Sequence, residues 1–416
     1  MKKSIRSKPG LSLKSFSKSF KKIRKVNQLI IILVVLLLVC SIGWRLTTIN
    51  KTKNVFNNSS VTQNVKVNND FQAQIYFNDQ PRQRIFSKKI IETIRSATKT
   101  IEIAIYSFGL EDIRDELYAA AKRGVKVTVI LSDVNSLQHL AMFQTAPPGF
   151  TIVPRGALQA NQIFSYDLHH KFMIVDRGMP STSLISGSFN WTLRQEYYDP
   201  SYLIFSQDHE LINVFAQEFD RLLSGLSGPA KLKNVRYNPF PAKINYPNGW
   251  LEVWFGPGLS NNSARQRLLT LFDSANKEID IMMWQLTDKD LADKLIATAQ
   301  RGINIKFIYD NFPARQTSSV IPYMKQVIKD KAITNFELVS DDKHNKFEAS
   351  DNLPPNFDSY LHRHEVIIDN NVVWAGTNNW SKAGWWVNDE NIIISNNQAL
   401  VKTFKGSFDF NYSNLK

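Results

Sequence analysis

The chain has 416 residues, 43% of them hydrophobic and 12% aromatic, which suffices for one large bilobal domain or two ordinary ones and excludes a disordered protein. The net charge of +14 invites a nucleic-acid or anionic-membrane reading, but residues 1–53 hold thirteen Lys/Arg and no Asp or Glu, so residues 54–416 keep 38 basic (51 minus 13) against 37 acidic residues. That near-neutral body shows no broad nucleic-acid footprint in its totals and leaves only a local basic patch open. The lone Cys40 excludes an intrachain disulfide and a cysteine metal cage.

Residues 1–28 are basic and serine-rich, ending in Lys21, Lys22, Arg24 and Lys25. Residues 29–48 follow as an apolar run, about 20 residues and enough to cross a bilayer core of about 30 Å. The run has no polar face, which disfavours a buried soluble helix. A cleaved signal peptide is the competing reading, and the long basic leader and the missing A-x-A site weigh against it. Val39 before Cys40 disfavours a lipoprotein signal. The expectation is a single-pass signal anchor in a bacterial-type plasma (inner) membrane, N-terminus cytoplasmic and body extracytoplasmic, because the basic flank stays inside. Residues 49–70 read as a flexible tether.

The body, 71–416, repeats itself. Ile101–Phe108, Glu111–Arg123 and Gly124–Leu131 read strand, helix, glycine, strand, and the same grammar returns at Ile279–Leu286, Asp288–Arg301 and Gly302–Tyr309. Runs of β-branched residues suit buried strands. Leu117, Ala120 and Ala121, like Leu291, Leu295 and Ala299, follow helical spacing. Gly124 and Gly302 stand where a helix end needs a left-handed residue. Ala73–Phe77 with Phe86–Thr98, and Leu251–Phe255 with Ala264–Ala275, supply an upstream strand and helix to each copy. The repeats span 71–227 and 250–416, and 228–249, rich in Pro, Asn and Lys, reads as a linker. Such a duplication implies an α/β body with a cleft between pseudo-twofold halves and by itself says nothing of chemistry.

Four of the seven histidines fall at matching places in the two copies. The first copy reads His169-His170-Lys171, four apolar residues or so, Asp176, then Gly187-Ser188-Phe189-Asn190. The second reads His362-Arg363-His364 through Asp369, then Gly376-Thr377-Asn378-Asn379. Alternation along a strand puts His169 with Lys171, and His362 with His364, on one face. A cluster of neutral and cationic donors without a carboxylate cage suits a phosphate. His344-Asn345-Lys346 through Asp351 fits the same spacing but lacks a strand-like middle and reads as a polar loop. His139 and His209 lie outside both motifs. Trp385-Trp386 reads as core, with an aromatic rim as the alternative.

These paired motifs resemble the phospholipase D superfamily, whose mark is H-x-K-x4-D followed by G-S-x-N, and within it the small bacterial phospholipase D-like or endonuclease-like branch. The resemblance covers roughly residues 72–415. It implies a duplicated unit with two mixed sheets flanked by helices, here preceded by one transmembrane helix. It further implies phosphodiester hydrolysis through a phosphohistidine, with no metal or other cofactor. His169, Lys171, Asp176, His362, His364 and Asp369 map onto the catalytic motif. His169 maps as nucleophile and His362 as acid and base, while Asp176 and Asp369 brace strands more readily than they touch substrate. Ser188, Asn190, Thr377 and Asn379 would line the phosphate. Glu390 fits the carboxylate that orients the histidine of the second copy. Its counterpart in the first copy is Ser201, so Asp199 or Glu196 would have to substitute there.

The chain departs from the pattern at His364, where lysine is usual, and at Thr377. Ten residues separate Asp176 from Gly187, against six between Asp369 and Gly376. A phospholipid or membrane-surface substrate is the leading expectation. A metal-independent nuclease acting on nucleic acid and a degenerate phosphate-binding module stay open, and no protein partner is implied.

Overall fold

The strand-like runs form strands because their β-branched side chains fill both faces of a sheet. In the computed structural model, which describes residues 63–65, 71, 73–79, 84–132, 141–156, 166–233, 241–258, 263–342 and 359–416, Val61–Lys416 make one compact unit. The expected cytoplasmic tail and anchor, His139, and the His344–Asp351 loop lie outside the described residues. Among the described residues no helix is long and apolar enough to cross a membrane.

The first repeat runs β1 (Gln63–Val65), β2 (Ala73–Phe77), α1 (Ile85–Ser96), β3 (Thr100–Ile105), α2 (Glu111–Lys122), β4 (Lys126–Ser132), β5 (Phe150–Arg155), β6 (Lys171–Val175), β7 (Ser183–Gly187), α3 (Leu193–Tyr197), β8 (Tyr202–Ser206) and α4 (His209–Leu223). After α5 (Pro229–Lys233), the second runs β9 (Ala242–Tyr246), β10 (Gly249–Phe255), α6 (Ala264–Ser274), β11 (Glu278–Met283), α7 (Lys289–Gln300), β12 (Asn304–Asp310), α8 (Asn311–Ala314), α9 (Ile321–Asp330), β13 (Phe336–Asp341), β14 (His364–Ile368), β15 (Val372–Gly376), α10 (Lys382–Trp386), β16 (Asn391–Ser395) and α11 (Gln398–Leu415).

Each repeat builds an eight-stranded mixed sheet, β1-β2-β8-β7-β6-β3-β4-β5 and β9-β10-β16-β15-β14-β11-β12-β13, so every strand has a partner eight numbers later. Strands β3, β4 and β5 run parallel, as do β11, β12 and β13; the motif strands β6 and β14 pair antiparallel with β3 and β11. Helices α1 and α2 cover the outer face of the first sheet through Phe86, Ile90, Ile113 and Leu117. Helices α6, α7 and α9 do the same for the second. Between the sheets, Phe215 and Phe219 of α4 and Phe404 and Phe408 of α11 pack with Phe172 and Ile204 of one sheet and Ile367 and Ile393 of the other. Each such side chain, once fully buried, contributes about 1.5–3 kcal/mol, so the two repeats share one continuous core.

Leu117, Ala120, Ala121, Leu291, Leu295 and Ala299 are all buried, as their spacing predicts. The two helices end on Gly124 and Gly302 at φ 92° and 96°, the left-handed geometry that favours glycine. The region 228–249 differs from a bare linker: it holds α5 and β9, and Lys231 is sealed from solvent. Local composition reads as loop there because only a packed second repeat can bury that lysine. Likewise β1, within the expected tether, pairs with β2. His209, at the start of α4, is exposed, and Trp385 is buried in the outer core of the second repeat.

Candidate active site

The register of the motif strands places their side chains symmetrically. Lys171 opens β6 opposite Ile105, and His364 opens β14 opposite Met283. The chain before each strand continues the pairing, with Tyr106 N–H on the His170 carbonyl at 2.9 Å and Trp284 N–H on the Arg363 carbonyl at 3.0 Å. His169 and His362 therefore stand two residues upstream on the same face as Lys171 and His364. Tyr106 flanks His169 edge-on at 4.7 Å between ring centres, and Trp284 lies 6.1 Å from His362.

The halves are stitched together at this point. His169 N–H donates to the Asp389 carbonyl and Asp389 N–H to the Asp167 carbonyl, both at 2.9 Å. That short bridge carries Glu390 across the pseudo-twofold, and His169 Nδ1 is hydrogen-bonded to its Oε2 at 2.8 Å. Thr377 Oγ1 donates to the same carboxylate oxygen at 2.5 Å. Glu390 thus serves the histidine of the first copy, and the assignment of Glu390 to the second copy is corrected. The bond at Nδ1 fixes the ring so that Nε2 is the nitrogen left for chemistry.

Burial governs the charges. It pushes Glu390 up to about 8, against the pull of Lys171 and the Thr377 hydroxyl. It holds His169 well below its ordinary value, helped by the Lys171 ammonium. We read the pair as sharing one proton, because two separate buried charges are costlier. Lys171 is brought down to about 7 by burial, with Glu390 opposing, and its Nζ donates to the His169 carbonyl at 2.7 Å.

Protonation of His362 is opposed by Lys171 and by any charge on His364 or His169, which brings both copies into one electrostatic site. Burial first, then those neighbours, hold His362 and His364 well below the ordinary histidine value. His364 Nε2 donates to Asn379 Oδ1 at 2.9 Å, so at neutral pH this residue is an uncharged donor where a lysine would be cationic. The cluster therefore repels protons until an anion joins it, the behaviour expected of a phosphate site.

The expected carboxylates of the first copy do other work. Asp199 accepts the Tyr360 N–H at 2.8 Å and Arg194 Nε at 3.3 Å, and burial raises it to about 6. Its repeat counterpart is Asn388, whose Oδ1 accepts the Asp167 N–H at 3.0 Å. Asp199 is thus a backbone clamp, correcting its expected role as an orienting carboxylate. Glu196 accepts the Ser87 N–H and hydroxyl at the start of α1. Ser201 Oγ and His362 Nδ1 are both buried without a hydrogen-bond partner among the described residues.

The remaining motif residues divide. Ser188 Oγ accepts the Tyr202 N–H and Thr377 Oγ1 the Asn391 N–H, each at 3.1 Å. Asn190 N–H donates to the Gln195 side chain, and its Oδ1 is buried without a partner. The glycines serve strand packing rather than a ligand: a Cβ on Gly187 would stand 2.2 Å from the Tyr202 carbonyl, and one on Gly376 2.4 Å from that of Asn391.

Asp176 and Asp369, counted with the catalytic motif, lie at the far ends of their strands, seven residues or about 20 Å from the motif histidines. Asp176 accepts N–H groups of Thr98, Lys99 and Thr100 at 2.9, 2.7 and 3.1 Å; Asp369 accepts those of Asn276, Lys277 and Glu278 at 2.8, 2.7 and 3.0 Å. They brace the sheets and are removed from the catalytic set. The longer loop after Asp176 turns at this same distant end. Asp176→Ala should destabilise the fold by about 2–4 kcal/mol, read as a lower urea midpoint, while the folded variant keeps kcat within about threefold. A tenfold fall in kcat of folded protein would return Asp176 to the active site.

Sequence reasoning missed a buried charge cluster behind the site. His170 Nε2 meets Glu218 Oε1 at 3.0 Å and its Nδ1 meets Asn391 Oδ1 at 3.2 Å. Lys231 Nζ bonds Glu218, Asp389 Oδ1 at 2.5 Å and the Gly256 carbonyl at 3.0 Å. His170, Glu218 and Asp389 are the one set among the described residues with atoms close enough to hold a metal ion. The Lys231 ammonium already supplies their cation.

The family described as "Cardiolipin synthase, PLD-like domain" matches residues 90–223 and 268–410. The mitochondrial cardiolipin hydrolase of Danio rerio is 30% identical over 152 residues, 36% of this chain and 62% of its own length. Cardiolipin synthase 1 of Bacillus cereus is 24% identical over 344 residues, 78% of this chain and 64% of its own length. The chain thus spans less than two thirds of either relative. The phosphatidylserine synthase of Haemophilus influenzae superposes with a TM-score of 0.61 at 16% identity, covering 86% of this chain and 90% of that one, and shares the fold. With both halves of the duplication matched and both motif copies meeting in one site, the chain belongs to the phospholipase D-like family described as "Cardiolipin synthase, PLD-like domain".

Proposed function

We propose that the protein hydrolyses phosphodiester bonds of phospholipids through a covalent phosphohistidine on His169. The observation that carries this reading is the His169 Nδ1 bond to Glu390, with Lys171 and His362 facing the same site. His169 Nε2 attacks phosphorus, and the departing alkoxide takes a proton from His362. Water, losing its proton to His362, then displaces His169 and frees the phosphate monoester. A bound phosphodiester anion raises His362 into the protonated range and keeps Lys171 cationic. The donors around phosphorus stabilise the charge that moves onto its oxygens.

The relatives named for cardiolipin chemistry support a lipid substrate, as does the near-neutral body. The apolar run at 29–48, read as an anchor, would hold the site beside headgroups. The test is the full-length protein in EDTA, given phospholipid vesicles and, in parallel, plasmid DNA. Lipid cleavage with intact plasmid is expected. Plasmid nicking without lipid turnover would substitute the nuclease reading, and phosphate binding without either activity the degenerate one.

The charge state of Lys171 gives a pH prediction. Its folded pKa, lowered to about 7, means the ammonium is present below and lost above that value, so affinity of the free enzyme for tungstate should fall between pH 7 and 8. Arginine stays charged there, so Lys171→Arg should hold its affinity through that interval, measured by calorimetry. Identical losses in both proteins would show that another group titrates.

A further inference from the structure

The segment that carries Glu390 is held differently from its repeat counterpart. Phe77 pairs with Tyr202 and Phe255 with Asn391, so Asn78 and Gly256 occupy matching places one residue beyond β2 and β10. Asn78 clamps its side with its amide. Nδ2 donates to the Gln195 and Asp199 carbonyls at 2.7 and 2.9 Å, and Oδ1 accepts the Ser201 N–H at 2.6 Å. Gly256 has no side chain to offer, and a Cβ there would stand 2.9 Å from the Asn388 carbonyl. Its backbone N–H alone holds the Glu390 carbonyl, at 2.7 Å.

Lys231 of α5 supplies the missing clamp from the connector between the repeats. Its Nζ meets the Gly256 carbonyl at 3.0 Å and Asp389 Oδ1 at 2.5 Å. One ammonium thus joins the residue that holds Glu390 across the sheet to the residue that precedes Glu390 in the chain. The Gly228 N–H, also from the connector, donates to Asp389 Oδ1 at 2.8 Å. On the far side of Glu390, Asn391 is held by His170, and Glu218 binds both His170 and Lys231. Lys231, Glu218, His170 and Asp389 are all sealed from solvent. Burial would raise Glu218, yet the Lys231 ammonium foremost, with His170 and Arg221, brings it down to about 2. Buried ionic groups add little stability over apolar packing of the same volume, so what this cluster supplies is geometry.

We infer that Lys231 is a positioning residue for the reaction: by clasping Asp389 to Gly256 it sets Glu390 against His169 Nδ1, and the connector between the repeats thereby aims the nucleophile. The inference rests on the proposed role of His169. A displacement of Glu390 by about 1 Å would loosen the ring whose Nε2 faces phosphorus, a misplacement that costs on the order of 100-fold in rate. Lys231 lies sealed behind the site, so substrate binding is spared and the loss falls on kcat.

The experiment gives phospholipid vesicles to the full-length protein, to Lys231→Met, and to the charge-balanced pair Lys231→Met with Asp389→Asn. Lys231→Met alone strands two buried carboxylates and should melt well below the wild type. The balanced pair removes one charge of each sign and should melt within a few degrees of it. Its kcat should nevertheless stay about 100-fold down, with KM within about threefold, because the clasp is still absent. The balanced pair is then built into Glu390→Gln. If Lys231 acts through Glu390, it should cost less than about threefold more there, whereas independent effects would multiply. Loading of the acid-labile label from an activated ester should slow in parallel, since that step needs His169 but no proton from His362. A balanced pair that regains kcat together with its melting temperature overturns the inference, and so does a loss that multiplies with that of Glu390→Gln or one that falls on KM alone. Wild-type lipid cleavage without label on His169 overturns the nucleophile reading itself.

Discussion

His169→Ala is expected to reduce lipid turnover by about 10⁴-fold or more, since removal of a nucleophile leaves only binding and electrostatic stabilisation. The same variant should carry no acid-labile phosphatidyl label after a rapid quench. His362→Ala should behave differently. The first displacement loses its proton donor and the second its base, so both slow; an activated ester, whose leaving group needs no proton, would still load His169 and the label should accumulate. The asymmetry has a structural cause. His169 is locked through Nδ1 onto Glu390 at 2.8 Å, whereas His362 Nδ1 has no hydrogen-bond partner among the described residues. Label found on His362 would reverse the roles, and label on neither would favour a phosphate-binding module.

Glu390→Gln is the second large effect, with kcat expected to fall about 10³- to 10⁴-fold, the scale known for replacing a buried carboxylate that holds a catalytic histidine. The amide offers either an oxygen or an N–H to Nδ1, so the imidazole loses its fixed tautomer and the acceptor of its proton. Thr377, which donates to the same oxygen, keeps the backbone in place, so the melting temperature should change little. Asp199→Asn makes the contrast. Asn388 already performs the equivalent clamp with an amide oxygen, so Asp199→Asn should cost less than tenfold in kcat. Comparable losses in the two variants would mean that Glu390 acts through the fold rather than on His169.

Much of this protein was legible before any coordinates. The duplication, the strand–helix–glycine–strand units and the pairing of His169 with Lys171 follow from short-range periodicities, because strand alternation and helical spacing are local properties. Asp176 and Asp369 fall within the catalytic motif by spacing, although their position at the end of an apolar strand also suits the bracing hydrogen bonds they make. What spacing could not assign was partnership between residues distant in the chain. Glu390 reads as belonging to its own copy, yet a two-bond bridge between Asp389 and residues 167–169 delivers it to His169, 221 positions away. Lys231 reads as linker, yet it neutralises Glu218 and Asp389 in a core that exists only when both repeats close upon it. His364 stands where a lysine is usual, yet burial holds it well below the ordinary histidine value. The sequence by itself determined the duplicated α/β fold and which motif residues line the candidate site, since these depend on residue type and local order. Only the tertiary structure decided which carboxylate serves which histidine, which groups carry charge, and how the two half-sites differ, since these depend on desolvation and on contacts across the pseudo-twofold.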